Sequence, residues 1–273
     1  MSLSTVLFFF LAHLGVGIAF TLVFVSKDAG VKFFRFNAGL AAILVAFALA
    51  FRIASLEGLP PESALARWAV VALYITEAAL VVYWATVGRV LARVRPAIIG
   101  LAIAAGLAGV VLQGIDISAA RGAAMQALTV VSFVTSVALL GGACMAMTLG
   151  HWYLVIPSMQ VSHLQSLVKV HIASTIVRAV VVAAVVWFAI ASYQVESGLP
   201  GFRHYIFSVD GIFFWQRVLF GLAGPAVLSY LTWETAKIRS TQSATGILYV
   251  DFFTVVVGEV LAKYIILATH VPV

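Results

Sequence analysis

The sequence predicts an all-α fold: a polytopic transmembrane helix bundle of about eight spans with no soluble domain. Three observations predict it. The first is composition: of 273 residues, 63% are hydrophobic and only 10% are charged, against about 25% charged in an average soluble domain. Mean hydropathy is +1.12, and a soluble globule of this size has no interior large enough to hide so much apolar surface, so lipid must cover part of it. The second is length: eight apolar runs, each near the roughly 20 residues needed to cross hydrocarbon, use up the chain once short turns are added. The third is tryptophan: all six sit near the ends of these runs, where the membrane interface favours an amphipathic ring. Residues 1–273 therefore read as a single integral membrane domain.

Span one is Leu3–Val25. No positive segment precedes it, and charges (Lys27, Asp28, Lys32, Arg35) follow it in place of a small-residue cleavage site. It reads as a retained helix and not a signal peptide. Span two is Asn37–Ala54. Span three, Trp68–Gly88, carries Trp68 and Trp84 about 24 Å apart at helical rise. Span four, Ala97–Ile117, is dense in small residues (Gly100, Ala102, Ala104, Ala105, Gly106, Ala108, Gly109), which close helix packing explains without any site. Span five, Ala124–Leu149, stops just short of Trp152. Span six is Gln165–Ser192, with Trp187 near its end. Span seven, Gly211–Thr232, is bracketed by Trp215 and Trp233 about 27 Å apart. Pro225 lies inside it, after Gly221 and Gly224, and should kink the helix and free a carbonyl. That kink is either a tolerated bend or a hinge. Span eight is Gly246–Thr269, with Ser243 or Thr245 as candidate N-caps.

Net charge is +6, and the basic residues concentrate in alternate loops. Lys27, Lys32 and Arg35 follow span one; Arg89, Arg93 and Arg95 follow span three; Lys237 and Arg239 follow span seven. The opposite loops are nearly balanced (Glu57, Glu62 and Arg67; Asp116 and Arg121; Glu196, Arg203 and Asp210). By the positive-inside rule the basic loops face the cytoplasm and both termini lie outside. The expected setting is a bacterial cytoplasmic (inner) membrane, multi-pass, with the lipid bilayer as first partner and no nucleic acid. The single cysteine, Cys144, excludes a disulfide framework, a CxxCH haem attachment and a four-cysteine metal site. No P-loop, GxSxG or HExxH is present, and no pair of matching broken helices marks an inverted-repeat transporter.

Ionisable residues inside spans are costly and usually face the bundle interior. His13 lies about 15 Å into span one, Glu77 about 14 Å into span three, and Arg178 and Glu259 about 20 Å into spans six and eight. All four fall near the middle of a core about 30 Å thick. Lys263 follows Glu259 at the same-face i+4 spacing. Two readings stand. In one, Glu259 and Lys263 pair while His13 and Glu77 act as interhelical glue. In the other, these residues form a polar site, a proton path or a quinone site near the midplane.

A second constellation is histidine at the ends of spans five and six: His151, His163 and His171, with Arg178 at i+7 from His171. Histidines on neighbouring helices are what axial ligation of a b-type haem needs, and an Arg can pair with a propionate. His151 with His171 is the expected metal-ligand pair and His163 the substitute, with His13 and Arg178 as further cofactor contacts. A lone interfacial His is more commonly a polar belt residue. A third pattern, Cys144, Met147 and His151, shares one helix face and suits copper, or plain packing. The segment Val155–Leu164, with Pro157, Ser158, Gln160, Ser162 and His163, is polar enough to run along the interface, where it either gates a lipid-soluble ligand such as a quinone or is simply a loop.

In helix count, short loops and buried His, Glu and Arg, the chain resembles the polytopic haem- or quinone-handling membrane subunits of bacterial respiratory complexes. That resemblance implies a membrane subunit of an electron-transfer complex, binding haem b or quinone and docking a peripheral or membrane redox subunit. The alternatives are a transporter for a small solute, ion or proton with a midplane polar site, and an anchor without chemistry.

Overall fold

The computed structural model describes residues 2–55, 63–89, 92–156, 159–192 and 201–273, and every regular element among them is helical. In chain order these are α1 (Leu3–Leu22), a 3-10 turn (Lys27–Ala29), α2 (Gly30–Ser55), α3 (Ala64–Thr86), α4 (Arg95–Ile117), α5 (Ala123–Val155), α6 (Val161–Ser192), α7 (Phe202–Phe207), a 3-10 turn (Val209–Gly211), α8 (Ile212–Val218), a π turn (Leu219–Ala223), α9 (Gly224–Lys237) and α10 (Thr241–Thr269). Among the described residues, eight stretches are long and apolar enough to cross a membrane; the seventh, Val209–Lys237, is assembled from α8, the π turn and α9. The protein is an all-α helical bundle of multi-pass membrane type, as its composition predicts.

Several helix boundaries move, among them those of α2, α5 and α10. α2 begins at Gly30 and not at Asn37: Ser26 accepts from Asp28 N at 3.2 Å, and Gly30, at φ +80°, turns the chain straight into the helix. α5 runs on to Val155 and so carries His151 within its final turns. α10 begins at Thr241 with Ser240 at the N-cap position, which puts the expected caps Ser243 and Thr245 inside the helix. Thr245 Oγ1 instead donates across to Gly150 O of α5 at 2.8 Å. Glu57, Glu62, Pro157, Ser158 and Glu196 lie outside the described residues.

Two helices form the axis of the bundle. In their apolar stretches 78% of α1 and 67% of α5 is buried, against 44% or less in the others. α1 packs on α2, α4 and α5, α3 closes on α2 and α4, and α5 packs on α6 and α10. Glycine sets the α1–α5 crossing: a Cβ on Gly141 would stand 2.1 Å from Gly17 O, and one on Gly17 2.3 Å from Val137 O. Only hydrogen fits there, so the two backbones touch. Around this axis the outward face is apolar: Phe47, Trp68, Trp187, Trp215 and Phe253 are all exposed, as a wall covered by lipid requires.

The end that carries the basic loops is tied together. Trp152 Nε1 donates to Ala29 O at 3.0 Å, His163 Nε2 meets Asp28 Oδ2 at 2.9 Å, and Tyr153 OH donates to Gln160 O. At the opposite end Ser63 caps α3, accepting from Ala66 N, and donates to Asp116 Oδ1 at the end of α4.

Candidate functional site

The site begins with a proline. Pro225 has no N–H, and in a regular α-helix its ring collides with the carbonyl four residues earlier. The chain answers with the π turn at Leu219–Ala223, just before Gly224 and Pro225. Such turns concentrate at functional sites. Arg217, in the last turn of α8, leads into it and is fully buried. Its guanidinium lies against Gly221, where a Cβ would stand 2.1 Å from Nη1 and 2.8 Å from Gly258 Cα of α10. The two glycines bring α10 close and leave a slot for the guanidinium.

Glu259 of α10 is the centre. Arg217 Nη2 donates to its Oε1 at 2.9 Å and Arg178 Nε to the same oxygen at 3.1 Å. Its Oε2 receives Ser136 Oγ at 2.5 Å and Arg178 Nη2 at 3.4 Å, with Lys263 Nζ at 3.8 Å. Arg178 is fixed further by Ser132, donating from Nη1 to its Oγ at 2.6 Å and its carbonyl at 3.0 Å. Arg178 Nη2 also donates to Val273 O at 3.2 Å. Lys263 donates to Ser136 Oγ at 2.8 Å and lies over the Phe133 ring. Three cationic side chains thus surround one carboxylate, all at 1% exposure or less.

Proton accounting extends the layer to α1 and α4. His13 Nδ1 lies 3.3 Å from Ser136 Oγ and Nε2 3.3 Å from the Gln113 amide. Ser136 has one proton and two lone pairs; the proton goes to Glu259 and one lone pair to Lys263. His13 must therefore donate from Nδ1 to the remaining lone pair. Its Nε2 then accepts if the Gln113 amide turns its NH₂ toward the ring, which also satisfies an amide nitrogen that otherwise has no partner. The result is a continuous relay, Gln113–His13–Ser136–Glu259, running across α4, α1, α5 and α10.

A second buried pair lies nearer the basic-loop end. His171 Nε2 meets Asp251 Oδ2 at 2.6 Å, both residues at 0% exposure. His171 Nδ1 and Asp251 Oδ1 have no partner. Ser174, Thr175 and Thr254 continue the seam toward Arg178 and Glu259, and all three are buried. α6 and α10 face each other along this seam through side chains, while α5 and α9 flank them.

His13, Arg178, Glu259 and Lys263 come together as one network, the glue and the polar site of the sequence reading combined. Glu77 does not join it: it sits on α3, half-buried, with Oε2 lacking a partner. The three histidines also separate. His171 packs against Gly142 of α5, whereas His151 lies nine residues, or about 13 Å, further along that helix. His151 is exposed and its Nδ1 meets Tyr249 OH at 3.0 Å. His163 binds Asp28 at the surface. A haem between His151 and His171 needs both rings on one iron, and the fold sets them at different depths, with one nitrogen of His171 already on Asp251. Arg178 faces Glu259 and not a propionate slot. Cys144 is buried, while Met147 and His151 line a groove of about 300 Å³ with Phe33, Phe36 and Tyr249. Among the described residues no three His, Cys, Asp or Glu side chains gather as a metal site.

Arg217, Asp251, Ser132, Ser136 and Gln113 were not singled out by the sequence. Asp251 precedes Glu259 by eight residues, the spacing of two helical turns, and that was the signal available for it. Compared with known proteins, the chain matches no family model and no curated sequence.

Proposed function

We propose that the chain is a multi-pass transporter of a small ion or solute in a bacterial cytoplasmic membrane, with the layer around Glu259 as its working site. The observation that carries this reading is a single buried network of eight polar side chains, His13, Gln113, Ser132, Ser136, Arg178, Arg217, Glu259 and Lys263, drawn from six helices. Buried charge is expensive in a membrane, and a layer of it marks ion and solute paths. An anchor needs only small-residue packing such as the Gly17–Gly141 crossing. A span interrupted beside the layer, as at Leu219–Ala223, is a common way to build such a site. The His171–Asp251 pair supplies a second station on the same two helices. By the positive-inside rule the basic loops favour an orientation with both termini outside.

The test is reconstitution. Proteoliposomes carrying the purified chain are assayed for movement of protons, sodium, chloride and small carboxylates. Flux that falls at least tenfold in Arg178→Gln supports the reading; no flux of any of these species overturns it.

A second reading, quinone handling in an electron-transfer complex, is favoured by one feature. A groove of about 490 Å³ at the basic-loop end is lined by Leu22, Val31, Phe34, Tyr83 and Ile99, with Lys27 and Arg95 at its rim. An apolar cleft with a few polar groups is the usual form of a small-molecule site. Co-purified quinone, or a Soret band in the purified protein, would support this reading over transport.

A further inference from the structure

Two basic loops meet around a groove. Residues 26–36 and 87–96 carry Lys27, Lys32, Arg35, Arg89, Arg93 and Arg95 against one acid, Asp28, and Asp28 is taken by His163. Loop charge alone sets orientation and asks for no cavity. Here the loops are folded onto each other: Gly30 and Gly88 turn at φ +80° and +76°, and a Cβ on Gly88 would stand 2.1 Å from Val31 Cγ1. Between them lies the groove of about 490 Å³, built from the ends of α1 and α3 and the starts of α2 and α4. Leu22, Val25, Tyr83, Val87 and Ile99 in its walls are buried, whereas Val23 and Val31 are 53% and 50% exposed, so its mouth is apolar as well. Lys27 and Arg95 bring two cations to it. α4 also starts here with no side chain capping it and no acid in its first turn, so the positive end of its dipole adds to the field.

We propose that this groove holds one anionic phospholipid of the adjoining leaflet, with its phosphate at Lys27 and Arg95 and an acyl chain against Leu22, Val31, Phe34 and Ile99. Three chemistries compete for such a place. A soluble anion matches the cations but leaves the apolar mouth and walls unused. A quinone matches the walls but brings no charge to the cations. Of the three, only a phospholipid answers both, since basic side chains at headgroup depth attract anionic lipid. Lys and Arg lay their stems along apolar surface with the charge at the interface, and a guanidinium forks onto phosphate oxygens. A lipid seated here touches four helices at once and so fastens the α1–α2 pair to the α3–α4 pair. The site is separate from the layer around Glu259 and does not depend on what that layer moves.

The test uses the purified full chain in an uncharged detergent. Native mass spectrometry follows lipid adducts during titration with dioleoylphosphatidylglycerol, which carries a net negative charge, and dioleoylphosphatidylcholine, which carries none. The expected result is a saturable phosphatidylglycerol adduct, half-saturating about tenfold or more below phosphatidylcholine, as two basic side chains at headgroup depth predict. Lys27→Gln combined with Arg95→Gln abolishes that preference. Val23→Trp, at an exposed position in the groove, keeps every charge, fills the apolar mouth and raises half-saturation about tenfold. Lys237→Gln combined with Arg239→Gln removes the same charge from another basic loop and leaves binding unchanged. Equal retention of the two lipids, an equal loss in the Lys237 and Arg239 double variant, or wild-type binding by Val23→Trp overturns the proposal. Displacement of the adduct by excess inorganic phosphate reassigns the groove to a soluble anion, and displacement by an equimolar quinone reassigns it to a quinone; either result overturns the lipid.

Discussion

Two carboxylates within the spans, the buried Glu259 and the half-buried Glu77, should respond very unequally to the same substitution. Glu259 accepts from Arg178 Nε and Nη2, Arg217 Nη2 and Ser136 Oγ. Glu259→Gln leaves one carbonyl oxygen to serve these donors and points an NH₂ group at guanidinium. Breaking one partner out of a buried ion cluster costs about 3–5 kcal/mol, because the remaining charges stay buried and unpaired. At roughly 2–4 °C per kcal/mol for a chain of this size, Tm should fall by about 6–20 °C. Glu77→Gln replaces a half-buried carboxyl whose Oε2 already lacks a partner, and a change within about 0.5 kcal/mol is expected. The assay is tryptophan-detected unfolding of the two variants side by side in one detergent at low salt. A loss in Glu77→Gln equal to that in Glu259→Gln, or no loss in Glu259→Gln, would refute the assignment of Glu259 as the hub.

Ser136→Ala removes the oxygen shared by Glu259, Lys263 and His13 and should cost about 1–3 kcal/mol, read as a lower Tm with the helical circular dichroism preserved at room temperature. Gly221→Ala drives a Cβ to 2.1 Å from Arg217 Nη1 and 2.8 Å from Gly258 Cα; overpacking of about 1–3 kcal/mol or more is expected, measured in the same way. Gly246→Ala, where a Cβ meets nothing within 4 Å, should stabilise α10 by about 0.5–1 kcal/mol. For topology, a cysteine at Lys237 or at Arg121, introduced with the buried Cys144 changed to Ala, should be labelled by an impermeant maleimide from the cytoplasmic and the outer side respectively; the reverse pattern overturns the orientation.

The fold was largely legible because membrane helices announce themselves. Each must bury about 20 residues in lipid, so the runs and their flanking tryptophans mark the spans. Boundaries slipped where a helix continues past the apolar run. α5 extends through Gly150 and His151, and α10 starts at Thr241, ahead of the apolar stretch at Gly246. That slippage hid part of the site: counted from Gly246, Asp251 looks close to an interface, while α10 starts at Thr241 and carries it deeper. His13, Arg178, Glu259 and Lys263 were visible because an isolated charge in an apolar run stands out. Which of them meet was not visible, since rotation about each helix axis is set by packing. The histidines show this: His151 and His171 are both near helix ends in sequence, yet one faces outward to Tyr249 and the other inward to Asp251. Ser136 and Gln113 are too common in membrane helices to be flagged without their partners.

The order in which the layer is completed has a consequence for biosynthesis. His13 waits 123 residues for Ser136, and Ser136 waits a further 123 for Glu259. At roughly 5–20 residues per second, each interval lasts about 6–25 seconds. During the second one, Arg178 and then Arg217 emerge and stand in the nascent bundle without the carboxylate that holds them. A chain that stops before α10 therefore displays naked guanidinium groups at bilayer depth. Such a product is a ready substrate for membrane quality control, and the arrival of α10 with Glu259 removes that signal.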